Sequence, residues 1–303
     1  MSDTVNDVSR ISKTRKFYDF KIRKFYGCRK IAIVGKGAVG SAISRYLDVI
    51  NVGYDQFDSS NIDRIFEEEY DLLIYAGVRA SKYFADRNVE KDYLHCLRAY
   101  DTFERIDATK KILISSIDCS DKFDGQSAYG RNRRMLERKV LDNCSNAKVL
   151  RLPALFGATV KKNTWYDSVK GADLVKLSDE YQLRVIEESE KTGSKESRYN
   201  ILSFVNRSSV FCWYNLDTIG YTIYNILNSN SDLFQCVSYD SENEALIFTH
   251  AEMIEKFGYN DVAEISNVAS IDYESALIDQ NARLIFEKSE VSMFDEIWKE
   301  MLN

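Results

Sequence analysis

A chain of 303 residues, 45% apolar and 29% charged, suits one large domain or two unequal ones and has the composition of an ordinary globular protein. A formal net charge of −6 argues against a general nucleic-acid binder. Two histidines and six scattered cysteines without a CxxC pair make a zinc site unexpected, and the apolar runs are too short for a membrane span.

The charge is uneven. Residues 1–30 carry nine Lys/Arg against three Asp, and the string RKFY occurs at 15–18 and 23–26. Such a basic, aromatic arm can meet RNA or an anionic surface, but an appended segment that packs on the body or on a partner subunit is the simpler reading. The N-terminus shows no hydrophobic core for a signal peptide, so a cytoplasmic location with reduced cysteines is expected.

The stretch from Ile31 to Val34 is wholly apolar, as a strand buried on both faces requires. Gly35, Gly37 and Gly40 follow as GxGxxG, and the next ten residues keep helical spacing. Strand, glycine turn, then helix is the context of a dinucleotide-binding loop. Gly35 permits the tight turn, Gly37 lets a pyrophosphate approach, and Gly40 allows close packing. The N–H groups of a helix starting at Ala38 and Val39 receive the phosphate charge, with Lys36 nearby.

A second strand ends at Asp58, eighteen residues beyond Gly40. A carboxylate there accepts hydrogen bonds from ribose hydroxyls and repels a 2′-phosphate, which favours NAD and leaves NADP possible. Capping of the next turn is its alternative role. A third strand, Leu72 to Tyr75, ends in Ala76 and Gly77, small enough for a ligand to pass. Tyr93, Leu97, Tyr100 and Phe103 then recur at helical spacing and are expected in the core. A fourth apolar strand runs into Ser115, Ser116, Ile117 and Asp118. Alternating strands and helices predict an α/β fold, a doubly wound, Rossmann-like parallel sheet.

Beyond this strand come Tyr129, Arg133 and Glu137, and then Arg151 and Gly157 in RLPALFG. With Ser116, these residues resemble the extended short-chain dehydrogenases/reductases, the branch of nucleotide-sugar epimerases, dehydratases and reductases. The likeness covers about residues 30–225. The run from Arg151 to Asp167 resembles sugar epimerase/dehydratase proteins of polysaccharide clusters. In that family a Ser or Thr follows the fifth strand, and YxxxK opens a helix with Glu four residues after the Lys.

What the resemblance implies is a catalytic set of Ser116, Tyr129 and position 133 acting with a nicotinamide cofactor on a nucleotide-sugar. Hydride transfer at a sugar carbon needs a proton moved on the attached oxygen, and a tyrosine does this when a nearby cation lowers its pKa. Here Arg133 stands where the family has lysine, which also grips the nicotinamide ribose. Arginine keeps the charge but cannot join a proton relay, and Glu137 one turn on is placed to orient or neutralise it.

Other departures are Val34 in place of the first glycine of GxxGxxG and Ala154 where many members have Asn. Asp118 stands where family dehydratases keep a proton-abstracting Glu, while the companion acid is Ile117. Asp118 is thus a candidate base for epimerisation or elimination, or a solvated carboxylate. Lys161, Lys162 and Asn163, with Arg151, are candidates for substrate binding.

The expected organisation is a basic arm (1–29), a nucleotide-binding domain (30–157) and a smaller mixed α/β substrate lobe (158–303), with about 205–230 returning to the first domain. The expected function is an NAD(P)-dependent epimerase or reductase of a nucleotide-activated sugar in surface polysaccharide synthesis. A catalytically silent NAD- or nucleotide-sugar-binding regulator is the alternative. The family's habit implies a homodimer.

Overall fold

The computed structural model describes residues 28–120, 127–161, 163, 165–166, 209–239, 246–249, 252, 274–275 and 283–288. Most of the basic arm and Lys162 lie outside the described residues. The chain enters the sheet through β1, Ile31–Val34, with all four residues buried. It is flanked by β2, Asp55–Phe57, and by β3, Tyr70–Tyr75, with parallel pairing on both sides. The helix α1, Ala38–Val49, connects β1 to β2. A 3₁₀ turn, Ile62–Glu67, returns the chain from β2 to β3.

Two helices, α2 (Lys82–Arg87) and α3 (Val89–Arg105), lead to β4, Ala108–Ser116. Helix α4, Ala128–Asn143, precedes β5, Ala147–Leu152. Later come α5 (Ile219–Leu227), β8 (Leu233–Tyr239) and β11 (Arg283–Lys288). The seven strands lie in the order β11-β8-β5-β4-β3-β1-β2, and all the pairings are parallel. This is the doubly wound sheet that the alternation predicts. Ser116 closes the fourth strand and not a fifth, because the 3₁₀ turn carries the chain straight back across β1.

Period-two alternation assigns the two faces. Ile31, Ile33, Leu72, Ile74, Ile112 and Ile114 join one core with Ile43 and Leu47 of α1 and Ile219, Ile223 and Ile226 of α5. Ala32, Val34, Leu73, Tyr75 and Leu113 join the opposite core with Cys96, Tyr100 and Phe103 of α3 and Leu136 and Val140 of α4. Tyr93 does not enter this core and is 40% exposed, while Leu97 is half-buried. On α3 the buried stripe runs through positions 92, 96, 99, 100 and 103, which turns Tyr93 outward.

The only proline, Pro153, separates β5 from β6, Ala154–Phe156. Lacking an N–H, it cannot extend the β5 ladder, and the chain passes into a second sheet. There β6 pairs in parallel with β7, Val210–Asn215. The strand β9, Ile247–Thr249, lies antiparallel on β7, and β10, Glu274–Ser275, pairs with β7 in parallel. Thr249 and Glu252 exchange backbone-to-side-chain bonds of 2.7 and 3.1 Å, the reciprocal pattern of a capping box. Among the described residues no helix is long and apolar enough to cross a membrane.

Candidate active site

From β1 the chain moves outward to β2 and then crosses back to β3, so the C-terminal ends of β1 and β3 form the switch point of the sheet. The glycine loop sits there. Gly35 has φ +110°, and a Cβ on it would lie 2.6 Å from the Ala76 carbonyl oxygen. Both facts exclude a side chain. A Cβ on Gly40 would overlap the Gly35 carbonyl oxygen, so Gly40 brings α1 onto its own loop more than onto the strand.

Gly37 faces open space and is the N-cap of α1, where no side chain caps the helix and no acidic residue occupies the first turn. The first N–H groups, including those of Ala38 and Val39, carry the positive end of a twelve-residue helix, and the residues fit a bound pyrophosphate. Ala76 and Gly77 have a packing role as well: Ala76 donates its N–H to the Val34 carbonyl at 2.7 Å, and a Cβ on Gly77 would lie 2.9 Å from Val34 Cγ1.

Asp58 follows β2 directly. Its Oδ1 accepts from the Ser60 hydroxyl at 2.5 Å and the Ser60 N–H at 2.9 Å, and its Oδ2 meets Lys36 Nζ at 2.9 Å. The Ser60 bonds first, and Lys36 next, hold this carboxyl well below the usual carboxylate range. The Asp58 carboxylate is therefore ionised and already in contact with the glycine-loop lysine.

At the tip of β4, the start of α4 is set by three contacts. The Ser127 hydroxyl accepts from the Gly130 N–H at 3.1 Å, and Asp86 Oδ1 accepts from Ala128 N–H at 2.9 Å and Tyr129 N–H at 3.3 Å. Gly130 lies so close to the Asp118 carbonyl oxygen that a Cβ would overlap it. Missing one side chain, α4 packs closely on the β4 tip, and the Ser116 hydroxyl lies near enough to the Tyr129 phenol to influence its titration. Ser116 Oγ also donates to Asp118 Oδ2 at 3.2 Å and accepts from the Asp118 N–H at 3.2 Å. Lys82 Nζ lies 3.2 Å from Asp118 Oδ1. Ser116, Asp118 and Tyr129 are brought together as expected, and Lys82 joins them.

Arg133 is beside Tyr129 but differently engaged from the expected ribose contact. Its guanidinium stacks on the Tyr129 ring at 3.5 Å from the centroid. Nη1 donates to Asp92 Oδ2 at 2.8 Å and to the Tyr129 carbonyl at 3.1 Å, and Nη2 donates to Asp92 Oδ1 at 3.1 Å and to the Arg79 carbonyl. All four terminal N–H donors of the fork are occupied. Asn132 Nδ2 donates to the same carboxylate at 2.8 Å. Arg133 therefore ties α4 to α3 and to the loop after β3. The neighbouring Arg134 donates to the Cys119 carbonyl at 2.8 Å and to the Ser120 carbonyl, which ties α4 to the loop after β4.

Glu137 does not orient Arg133. It accepts from Arg151 Nε at 3.0 Å and Nη2 at 2.6 Å, with both residues buried. Glu137 lies one turn further along α4, opposite β5, and Arg151 of that strand is its nearer partner. The same pairing corrects the expectation that Arg151 meets substrate, since its charge is neutralised inside the protein. Asn163 holds a turn, donating to the Leu155 carbonyl at 2.6 Å and accepting from the Tyr166 N–H at 2.9 Å, while Lys161 is exposed.

Burial pushes the Tyr129 phenol up to about 12. Arg133 and, least of all, the Ser116 hydroxyl pull downward, while the Asp118 charge and Cys119 push upward. The expected lowering by a cation at i+4 is present but outweighed. Asp92 compensates Arg133, and removing a phenolate from water costs more than the remaining attraction returns.

Lys82 and Asp86 were not singled out by sequence motifs. Their signal is spacing: four apart on α2, they share one helical face, and Ser81 opens that helix by accepting from the Phe84 N–H at 3.2 Å. Asp92 gave no signal except its place in the first turn of α3.

No protein-family model matches the chain, and no curated protein matches it in sequence. Solved structures match its fold. A dTDP-glucose 4,6-dehydratase from Streptomyces venezuelae, crystallised with NAD, superposes with a TM-score of 0.63 at 10% identity over 90% of this chain and 97% of that one. A dTDP-4-dehydrorhamnose reductase from Clostridium acetobutylicum gives 0.58 at 14% identity, covering 90% and 99%. A UDP-N-acetylglucosamine 4-epimerase from Bacillus cereus gives 0.57 at 13%, covering 90% and 96%. The fold is thus that of the extended short-chain dehydrogenases/reductases named from the sequence motifs.

Proposed function

We propose that the chain is an NAD(P)-dependent enzyme that epimerises or reduces a nucleotide-activated sugar, with Tyr129 as acid/base and Ser116 holding the reacting oxygen. The observation that carries this reading is the gathering of Ser116, Asp118 and Tyr129 at the tip of β4, with Gly130 of the tyrosine helix packed against the Asp118 carbonyl, in the same sheet as an uncapped glycine-loop helix. Its support from outside is the likeness in fold to a dehydratase, a reductase and an epimerase of nucleotide-sugars.

The glycine-loop N–H groups bind the pyrophosphate, and Asp58 takes the adenosine ribose. Lys36, already on Asp58, adds a cation for a 2′-phosphate, so NADP is accommodated beside NAD. The bound nicotinamide supplies or accepts the hydride. Tyr129, neutral at physiological pH because of its burial, gives a proton to the sugar oxygen as the carbon is reduced, and Ser116 fixes that oxygen in line. Surface polysaccharide synthesis is the setting in which we place the product. Val89, Tyr93 and Leu94 leave an exposed apolar strip on α3, which we assign to a second copy of the chain. A sedimentation mass of one chain would remove that assignment.

Quenching of protein fluorescence by NADH or NADPH tests the reading first, and absence of binding of both would overturn it. Hydride transfer is then followed with dTDP-4-dehydrorhamnose, dTDP-glucose, UDP-glucose and UDP-N-acetylglucosamine. Tyr129→Phe is expected to lower the rate about 10²–10⁴-fold, and equal rates would remove Tyr129 from the mechanism. The full occupancy of the Arg133 terminal donors favours the second reading, a binding protein without turnover. Cofactor binding with no transfer to any of these sugars would select it.

A further inference from the structure

In YxxxK enzymes the lysine of the tyrosine helix is the polar neighbour of the catalytic phenol, and here that position is closed. The Arg133 side chain is 3% exposed and its partner Asp92 is 1% exposed. A permanently charged guanidinium in that setting neither moves nor exchanges a proton. A different line of groups leaves Tyr129 on its other side. The Ser116 side chain lies beside the Tyr129 phenol and pulls its titration downward, Ser116 Oγ donates to Asp118 Oδ2 at 3.2 Å, and Asp118 Oδ1 meets Lys82 Nζ at 3.2 Å. Exposure rises along this line, from 9% at Tyr129 to 18% at the Asp118 side chain and 30% at that of Lys82. The links from Ser116 to Asp118 and from Asp118 to Lys82 are hydrogen bonds, and the last group touches solvent.

We propose that Ser116, Asp118 and Lys82 form the proton path that serves Tyr129, with Lys82 as its solvent terminal. The proposal rests on the enzyme reading above. For each hydride accepted by the sugar carbon, one proton passes from Tyr129 to the sugar oxygen. One passes from Ser116 Oγ to Tyr129, one from Lys82 through Asp118 to Ser116, and water reprotonates Lys82. The reverse sequence serves oxidation. Nothing accumulates, and the net transfer is one proton between water and substrate.

Lys82 is a positioning and relay residue, since it reaches the reaction only through Asp118. Its place is fixed by α2, whose Asp86, four residues on, caps the helix that carries Tyr129. The charged or titratable groups around the phenol are Arg133 on α4, Asp118 and Cys119 after β4, and Lys82 and Asp86 on α2. Of the two cations among them, Lys82 has the more exposed side chain, 30% against 3% for Arg133, and it is a cation able to lose a proton.

The experiment compares wild type, Lys82→Ala, Lys82→Met and Lys82→Arg in NAD(P)H binding, in turnover of the best sugar of the panel, and in the titration of Tyr129. The titration is read by fluorine NMR on fluorotyrosine-labelled protein, with the signal assigned through Tyr129→Phe. Unchanged NADPH affinity and KM are expected, with kcat about 10–100-fold lower in Lys82→Ala and partly restored by added ethylamine. Lys82→Arg keeps the charge but is expected to stay slow, because guanidinium does not release its proton. The Tyr129 titration is expected to rise by roughly half a unit in Lys82→Met, where Asp118 loses its counter-charge, and to hold in Lys82→Arg.

Full turnover in Lys82→Ala or in Lys82→Arg overturns the path. So does a Tyr129 titration unmoved in Lys82→Met, whether or not any sugar is turned over. A wild type that binds no NAD(P)H defeats the enzyme reading instead, and the two failures are told apart.

Discussion

Two ion pairs flank Tyr129, and they differ in kind. Arg133–Asp92 is bidentate, stacked on the ring and 3% and 1% exposed. Lys82–Asp118 is a single contact, 30% and 18% exposed. The first has the larger Coulomb energy and the smaller chemical use, because its charge is compensated and its donors are taken. The second is weak as a bond and open to water. Proximity of a cation to a tyrosine is therefore a poor guide to which cation serves it, and the accessibility of its proton is a better one.

The comparison can be broken from the buried side first. Asp92→Ala leaves a guanidinium without its carboxylate inside the protein, and a loss of about 3–5 kcal/mol in unfolding free energy is expected by urea denaturation. A loss under 1 kcal/mol would mean that water reaches Arg133 and that the two pairs are not different in kind.

Titration of the phenol comes next. Its folded value of about 12 lies above the 10.0 of a free phenol. The neutral form is the one favoured by folding, so its contribution is whole below pH 10 and is lost as pH rises toward 12. Urea midpoints are expected to fall across that window, and to fall less in Tyr129→Phe, by up to roughly 2–3 kcal/mol. Parallel curves for the two proteins would show that the phenol is not buried in solution.

Breaking the open pair should hardly touch stability. Lys82→Met is expected to change it by less than about 1 kcal/mol, and a larger change would make Lys82 a structural residue like Arg133. The smallest effect belongs to the glycine loop. Lys36→Ala is expected to weaken NADPH relative to NADH by about fivefold, read from the two binding curves, whereas an unchanged ratio would remove Lys36 from the 2′-site.

The parts of this site that were legible in the sequence are those written in local spacing. The all-apolar β1, the glycines at 35, 37 and 40, the serine at a strand tip and Tyr129 at a helix start each follow from neighbours a few residues away. The partners of Arg133 were not legible, since Asp92 and Arg79 lie 41 and 54 residues earlier in the chain. The same holds for Lys82, 36 residues before Asp118. Arg151 and Glu137 read as site residues because the family's motif marks them, yet their charges meet each other. Spacing names the residues that share a helix face but not the carboxylate that waits opposite.

Helix α2 has only six residues, yet it holds the entrance of α4 with one side chain and the β4 tip with another. Such a helix behaves as a yoke. The segment just before it is fastened as well, because the Arg79 carbonyl is bound to Arg133. Any ligand that displaces the Ala76–Arg79 backbone thus pulls on the phenol and on its acid neighbour together, and under the proposed function seating of the dinucleotide and readiness of the acid become one event.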